Sequence, residues 1–521
     1  MSVVNRIEDV ARRCQTYLRN PLWFCVLCVV ILLGITSRGL SPDLDLFHRL
    51  ATGKLITTSD TFPYRDPFSF SETLPMWIDH EWLSGVLFYR LHETFGDSGL
   101  LCLRAFLFAC TTVLVVSCSA HLTPLTPGIL AWILLCLFHG SFGWSSVIRC
   151  QAFTYLFVPL LLLGCIRVVT KESWILLLTS PLILVAWCNL HGGFVLGLII
   201  LALFVAHQFL YGGRWIRALF ILGASVAATA LNPYGFTAYW RYLIEALSMP
   251  RPEILEWKPL LEQPDQYVAT IGISAVLLLG VAVAFLHRRK TSVTLDMSVS
   301  RSSRLAIHTL LFFAALLALS SYSAFRHSRF LVFYMVTAAA VGAPFIAAIS
   351  TIFAPAIKER AERLSRVWGI SAHALAGVAL FSLGFGATDR TLLTLNYDSY
   401  PIEALDHLES TSTSGKLLVD FNFGAYSLWR LYPKFLVSMD SRYETAYTVS
   451  AVNLNYRALT PAGERERSQL SPTHILLSRS SSAGGRRLTT DGASSAETEQ
   501  FFDGWGRIYS DDNFTLLAKN P

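Results

Sequence analysis

The 521-residue sequence predicts an α-helical polytopic membrane protein, with about eleven transmembrane helices followed by a small α/β domain outside the bilayer. Three observations carry this expectation. Charged residues make up only 15% of the chain, against about 25% in a typical soluble protein, while hydrophobic residues reach 53%. The apolar residues gather in runs of roughly 17–22, the length a helix rising 1.5 Å per residue needs to cross about 30 Å of hydrocarbon. The last part of the chain breaks this pattern with short β-type runs bounded by Gly, Pro, Ser and Asp.

Taken in order, the runs place spans near 21–38, 99–118, 128–146, 152–169, 173–190, 193–211, 215–231, 267–286, 304–323, 330–350 and 367–386. The first follows Arg6, Arg12, Arg13 and Arg19 and lacks a small-residue cleavage site, so it reads as an uncleaved span rather than a signal peptide. Basic residues set the orientation. The N-terminal arginines, Arg167 with Lys171, Arg214 with Arg217, His287 to Lys290, and Lys358 through Arg366 all fall on one side, which the positive-inside rule makes cytoplasmic. Residues 1–20 are then cytoplasmic, 21–386 form the membrane module, and 387–521 lie outside a plasma (inner) membrane. The ten cysteines lie between Cys14 and Cys188, mostly inside apolar runs, which excludes a disulfide-stapled outer domain and suits packing roles.

Two outer segments are long, 39–98 and 232–266. The first is dense in acids and aromatics ("SPDLDLFHRLATG", "YRDPFSF", "WIDHEWL"), and its end, Glu81–Phe95, carries Leu83, Val86, Leu87 and Leu91 at helical spacing, as in an amphipathic helix on the membrane surface. In the tail, "GKLLVDF", "KFLVSMD", "THILLSR" and "NFTLLAK" read as strands and "YPIEALDHLES" as a helix, with a mobile loop at 480–485.

The residues that could carry chemistry sit on the outer face. Asp43 and Asp45, directly after the first span, are two carboxylates one residue apart, which can hold a divalent metal (Mg or Mn) or accept a proton from an incoming nucleophile. Asp79-His80-Glu81-Trp82 adds a second acid–base group, although "HEW" at a helix start also suits an N-terminal cap. Arg149 with Gln151, Asn189 with His191, and Arg326, His327 and Arg329 emerge at span ends on the same face. Several cations there suit an anionic lipid headgroup, a phosphate or pyrophosphate, while each alone also suits a snorkelling anchor. Glu256-Trp257 pairs a carboxylate with an aromatic face and suits a sugar ring as well as an interfacial belt. The glycines of "HGGFVLG" suit close helix packing.

Together these residues resemble the C-type glycosyltransferases (GT-C), and more narrowly a group of bacterial membrane proteins of that type. The shared patterns are D-x-D…TG (Asp43, Asp45, Thr52, Gly53), DPFS…HEWL (Asp66–Ser69, His80–Leu83), N-L-H-G-G-F (Asn189–Phe194) and L-N-P-Y-G (Leu231–Gly235). Two tail patterns, Gly424–Pro433 and Val437–Arg442, complete them. The chain departs from the group at His48-Arg49, where a Trp-His pair is usual, and at Gly424-Ala425, where two glycines are.

The resemblance implies a GT-C-like membrane glycosyltransferase of the cell envelope. Such an enzyme moves a sugar with inversion from a polyprenyl-phosphate donor to a glycan, lipid or protein acceptor, among membrane lipids and without nucleic acid. It implies Asp45 as general base with Asp43 assisting it or holding the metal. Arg149, Arg326 and Arg329 would then face the phosphate, and His80, Glu81, His191, Glu256 and Trp257 would line the substrate site. The rival readings are a polytopic transporter or lipid flippase, and a non-catalytic component of cell-surface polysaccharide assembly. The tail is expected to carry no catalytic group.

Overall fold

The structure, a computed structural model, describes residues 42–144, 147–249, 251, 254–291, 307–351, 400–411, 413–478, 502 and 504–520. The expected spans at 21–38 and 367–386, the basic residues flanking them and the loop 480–485 lie outside the described residues.

The first outer segment organises the rest. Helix α1 (Leu44–Thr58) has three working faces at i, i+3/i+4 spacing. Leu46 and Leu50 join the core built by the membrane helices, and Phe47 and Ala51 join a second core shared with the tail. Asp45, His48 and Arg49 form the third face and line a cavity. Helix α2 (Trp82–Phe95) packs along α1. The contact is backbone to backbone: a Cβ on Gly53 would collide with the Gly85 carbonyl, which explains the Thr52-Gly53 pattern. The buried stripe of α2 is Ser84, Gly85, Phe88 and Tyr89, while Leu83, Leu87 and Leu91 rest half-buried against the membrane core.

Four described helices are long and apolar enough to cross a membrane: α3 (Asp97–Leu122), α5 (Gln151–Lys171), α10 (Pro264–Thr291, apolar to Leu286) and α11 (Ile307–Arg326). A fifth arises if α12 (Leu331–Val341) is joined to the following Ala343–Thr351, to which it is bent by 56°. The bend falls beside Pro344, which has no N–H to give and whose ring crowds the carbonyl four residues back. The runs expected as spans at 128–146, 173–190, 193–211 and 215–231 instead hold shorter helices. These are α4 (Pro127–His139), α6 (Ser180–Leu190), α7 (Phe194–Leu210) and α8 (Trp215–Ala228), of 13, 11, 17 and 14 residues. At 1.5 Å per residue they reach only about 16–26 Å, short of the roughly 30 Å core. The described residues show four full-length spans, or five with the bent pair, and do not confirm a count of about eleven. Apolar runs report composition, and composition does not register where a helix stops: α6 restarts at Ser180-Pro181, and α4 gives way at Gly140, whose missing side chain lets Met335 approach.

All eleven residues of α12 are buried, walled by α3, α4, α5 and α11, as befits a helix apolar on every side. Outward, Leu182, Phe220 and Leu278 are 74%, 75% and 70% exposed, an apolar exterior fitted to lipid rather than water. The protein is a multi-pass membrane protein.

Between the membrane helices, α9 (Gly235–Ser248) and two short 3-10 turns, Leu255–Trp257 and Leu260–Glu262, fill the second outer segment. The tail comprises α13 (Ile402–Ser410), β1 (Gly415–Leu418), α14 (Phe421–Leu431), β2 (Phe435–Val437), α15 (Val449–Ala458), α16 (Glu464–Leu470), β3 (His474–Ser478), β4 (Trp505–Ser510) and β5 (Phe514–Lys519). The strands make one sheet, order β2-β1-β3-β5-β4, parallel across β2-β1-β3 and antiparallel across β3-β5-β4. The parallel part is buried between helices, so its strands are short apolar runs and legible in the sequence. The edge strand β4 (WGRIYS) carries no continuous apolar run and is exposed or half-buried along its length, so the sequence does not announce it.

The tail is no separate appendage. Phe70 N–H donates to the Val437 carbonyl (3.1 Å) and Val437 N–H to that of Phe68 (3.0 Å), so the first outer segment extends the sheet at β2. Phe47 packs edge-on against Tyr400 and Tyr426 at 5.5 and 4.8 Å.

Candidate active site

A cavity of about 280 Å³ opens where α1, the turn before α5, the second outer segment, the turn after α11 and the tail meet. Of the ten residues assigned to the catalytic or substrate site from the sequence, Asp43, Asp45, His80, Glu81, Arg149, Glu256, Trp257 and Arg329 line it. Two do not. Arg326 is exposed at the last turn of α11 and is not among the residues that line the cavity. His191 stands behind the wall, its Nε2 3.4 Å from Glu81 and its Nδ1 2.7 Å from Thr154 Oγ1, and so supports Glu81 rather than lining the site.

The pairing of charges decides what each can do. Asp43 caps α1 with extended backbone (φ −72°, ψ 145°) and is ion-paired with Arg149. The same guanidinium forks onto Glu256, at 2.5 and 3.2 Å. Arg149 is thus held by two carboxylates. Trp257 has its ring covered by Arg251 at 4.3 Å and Arg329 at 5.5 Å, so the expected sugar-stacking face is taken by cations. Glu81 receives Arg49 Nη2 (3.1 Å), with His80 Nε2 at 3.5 Å, while Arg49 also pairs with Asp79. Burial pushes the Glu81 carboxyl up, but Arg49, His80 and His191 outweigh it and hold the group well below its usual range.

Asp45 is different. Among the described residues its carboxylate has no hydrogen-bond partner, and the nearest cationic candidate is His48 Nδ1 at 3.9 Å. It is 43% exposed into the cavity. Its deep position in the protein and the neighbouring charge of Asp43 raise its pKa to about 7, against the pull of Arg149 and Arg49. His48 is pushed well below its usual value, first by burial and then by Arg49, and stays neutral, bonded to Ser441 Oγ at 2.7 Å. A carboxylate poised near neutrality and free of partners is equipped to take a proton. Arg329 is its cationic counterpart: it has no hydrogen bond among the described residues, and Nη1 lies 3.8 Å from Glu256.

The remaining sequence patterns turn out to be the scaffold. Trp82 Nε1 donates to Asn189 Oδ1 (2.8 Å), Asn189 Nδ2 donates to the Leu231 carbonyl (2.9 Å), and Asp79 N–H donates to Tyr234 Oη (2.9 Å). One knot therefore joins HEWL, NLHGGF and NPYG and fixes the wall that bears Glu81. A Cβ at Gly193 would strike Thr154, so the glycine pair serves packing.

Sequence reasoning missed the tail's share of the cavity. Asn422, Ser441, Arg442, Tyr443, Glu444 and Tyr456 all line it. Glu444 pairs with Arg251 at 3.2 Å, tying the tail to the second outer segment. The charged end of the Val437–Arg442 pattern, directly after a buried strand, was the available signal.

Asp43 and Asp45 were also candidate metal ligands. Among the described residues no three His, Cys, Asp or Glu side chains converge as a metal set, and Asp43 is engaged by Arg149.

No protein-family model matches the chain, and no curated protein matches it. Solved structures do. One Archaeoglobus fulgidus oligosaccharyltransferase structure, tethered to an acceptor peptide containing the NVT sequon, aligns with TM-score 0.56 and 11% identity over 97% of this chain and 75% of that one. The archaeal oligosaccharyltransferase AglB from the same organism, in complex with an inhibitory peptide and a dolichol-phosphate, aligns at 0.53 and 11% over 89% and 70%. The apo form gives 0.51 and 12% over 88% and 69%. The chain has a GT-C-like fold. The cavity, with its cluster of acids and cations beside the ends of α5 and α11, is the candidate active site.

Proposed function

We propose that this GT-C-like protein transfers a sugar, with inversion, from a polyprenyl-phosphate donor to an extracytoplasmic acceptor that is a glycan, a lipid or a protein. The observation that carries the reading is the pairing pattern of the cavity. Among the described residues Asp45 is a carboxylate with no hydrogen bond, and Arg329 a cation with no hydrogen bond that only approaches Glu256 at 3.8 Å, while Arg149, Asp43 and Glu256 hold one another. A lipid-phosphate donor keeps its tail in hydrocarbon and its sugar in water. Arg149 stands just ahead of α5 and Arg329 just after α11, both at the ends of membrane helices, where such a headgroup would lie. The likeness in fold to a protein bound to dolichol-phosphate and a peptide supports a lipid-linked donor and an acceptor approaching from outside.

In the proposed step the acceptor hydroxyl oxygen attacks the anomeric carbon in line with the bond to phosphate. Asp45 accepts the hydroxyl proton. The carbon–oxygen bond to phosphate breaks, its electron pair leaves with the lipid phosphate, and Arg329 meets the developing charge. The leaving group is already good, so the protein mainly positions the partners and stabilises charge. Asp43, fixed by Arg149, raises the basicity of Asp45 through its charge.

The test uses purified full-length protein and a panel of labelled polyprenyl-phosphate sugars, with released polyprenyl phosphate as readout. Asp45→Asn should cut transfer by about 10²–10⁴-fold, the usual contribution of a general base, at an unchanged unfolding temperature. Full activity in Asp45→Asn combined with Asp43→Asn would end the reading.

A further inference from the structure

We propose that the carboxylate of Glu256 occupies the seat of the donor's phosphate in the unliganded protein, so that donor binding displaces it. The inference rests on the lipid-phosphate reading above and goes beyond it by placing the anion. Glu256 is the group that Arg149 and Arg329 share: the first grips it through a fork at 2.5 and 3.2 Å, and the second approaches to 3.8 Å. Burial raises its carboxyl, and the two arginines more than reverse that, keeping it ionised. A planar oxyanion between two guanidiniums has the charge and geometry of a bound phosphate. It is still 37% exposed into the cavity, so an incoming anion can reach the same atoms.

The segment that carries Glu256 is held independently of that carboxylate. His327 Nδ1 bonds the Trp257 carbonyl (2.6 Å), Ser328 N–H donates to the Lys258 carbonyl (3.2 Å), and the Arg251 guanidinium lies over the Trp257 ring at 4.3 Å. Swinging the Glu256 side chain aside would leave Leu255–Trp257 in place and open Arg329 and the Nη atoms of Arg149 to a ligand, while Arg149 Nε stays paired with Asp43. Glu256 then competes with the donor, the opposite of a substrate-binding residue, and the two roles predict opposite signs.

The experiment is a titration of full-length protein in lipid nanodiscs with farnesyl phosphate, inorganic phosphate and farnesol. Glu256→Gln, nearly isosteric but uncharged, should tighten farnesyl phosphate by about tenfold, the equivalent of one charge-assisted hydrogen bond freed. Farnesol should bind equally to both proteins. Tightening of inorganic phosphate as well marks a seat for the phosphate group itself, whereas tightening confined to farnesyl phosphate marks one that also needs the lipid. Either result supports the proposal. Arg329→Ala should weaken farnesyl phosphate in the wild-type and the Glu256→Gln backgrounds alike. Unchanged or weaker farnesyl phosphate binding by both Glu256→Gln and Glu256→Ala would overturn the proposal. Tightening without sugar transfer from any donor would leave the seat standing and remove the transferase reading, and transfer without tightening would do the reverse.

Discussion

Arg442 is the most exposed test of how the cavity is held together. Its guanidinium donates to Asp66 at 2.6 and 3.2 Å, to Asp440 at 2.9 and 2.7 Å and to Ser69 Oγ at 3.1 Å. Its side chain is 1% exposed, those of both aspartates are 0%, and the Phe68 and Trp77 rings flank it at 5.0 and 4.9 Å. Asp66 belongs to the first outer segment and Asp440 to the tail, so this clasp holds the cavity wall that Ser441, Tyr443, Glu444 and Thr445 supply. Arg442→Ala strands two buried carboxylates, a loss of about 3–5 kcal/mol. In hydrogen-exchange mass spectrometry that corresponds to opening roughly a hundred- to several-thousand-fold more frequent in peptides covering 64–78 and 438–447. Peptides from α5 should exchange as in the wild type. Because uncharged replacements of a buried ion cluster are often close to neutral, Arg442→Met with Asp66→Asn and Asp440→Asn should recover most of the protection. Exchange within threefold of wild type in Arg442→Ala, or an equal rise in α5, would refute the assignment of this cluster as a local clasp.

Two further outcomes follow from the charges in the cavity. With Asp45 as base and its pKa raised to about 7, the ionised, active form prevails above that pH, so kcat/KM should climb through about pH 7 and be lost toward pH 5; Asp43→Asn should move the climb to lower pH, and a flat profile from pH 5.5 to 8.5 would contradict the assignment. Arg326→Ala should leave the affinity for farnesyl phosphate within about twofold, because the exposed side chain does not line the cavity, whereas losing the Arg329 contact should cost about tenfold or more; equal losses in isothermal titration would put Arg326 back in the site.

Much of the membrane character and of the site's composition could be read from the sequence alone. Helices such as Gln151–Lys171 announce themselves because span length and apolarity are local quantities, set by hydrocarbon thickness and helical rise. The acids Asp43, Asp45 and Glu81 and the cations Arg149 and Arg329 were legible for a related reason: charge beside an apolar run is costly and marks an edge. What no local pattern contains is who partners whom. His48 meets Ser441 across 393 residues of chain, Arg149 meets Glu256 across 107, and Arg442 meets Asp66 across 376. Those pairings follow from packing α1 between two cores, and they leave Arg149 forked between Asp43 and Glu256, Arg329 in looser reach of Glu256, and Asp45 rather than Asp43 as the carboxylate open to the cavity. Whether an apolar run forms one long helix or stops short was likewise settled by the folded protein. Gly140 meeting Met335, and Gly53 meeting Gly85, are contacts between distant segments, and their distances exist only once the chain has folded.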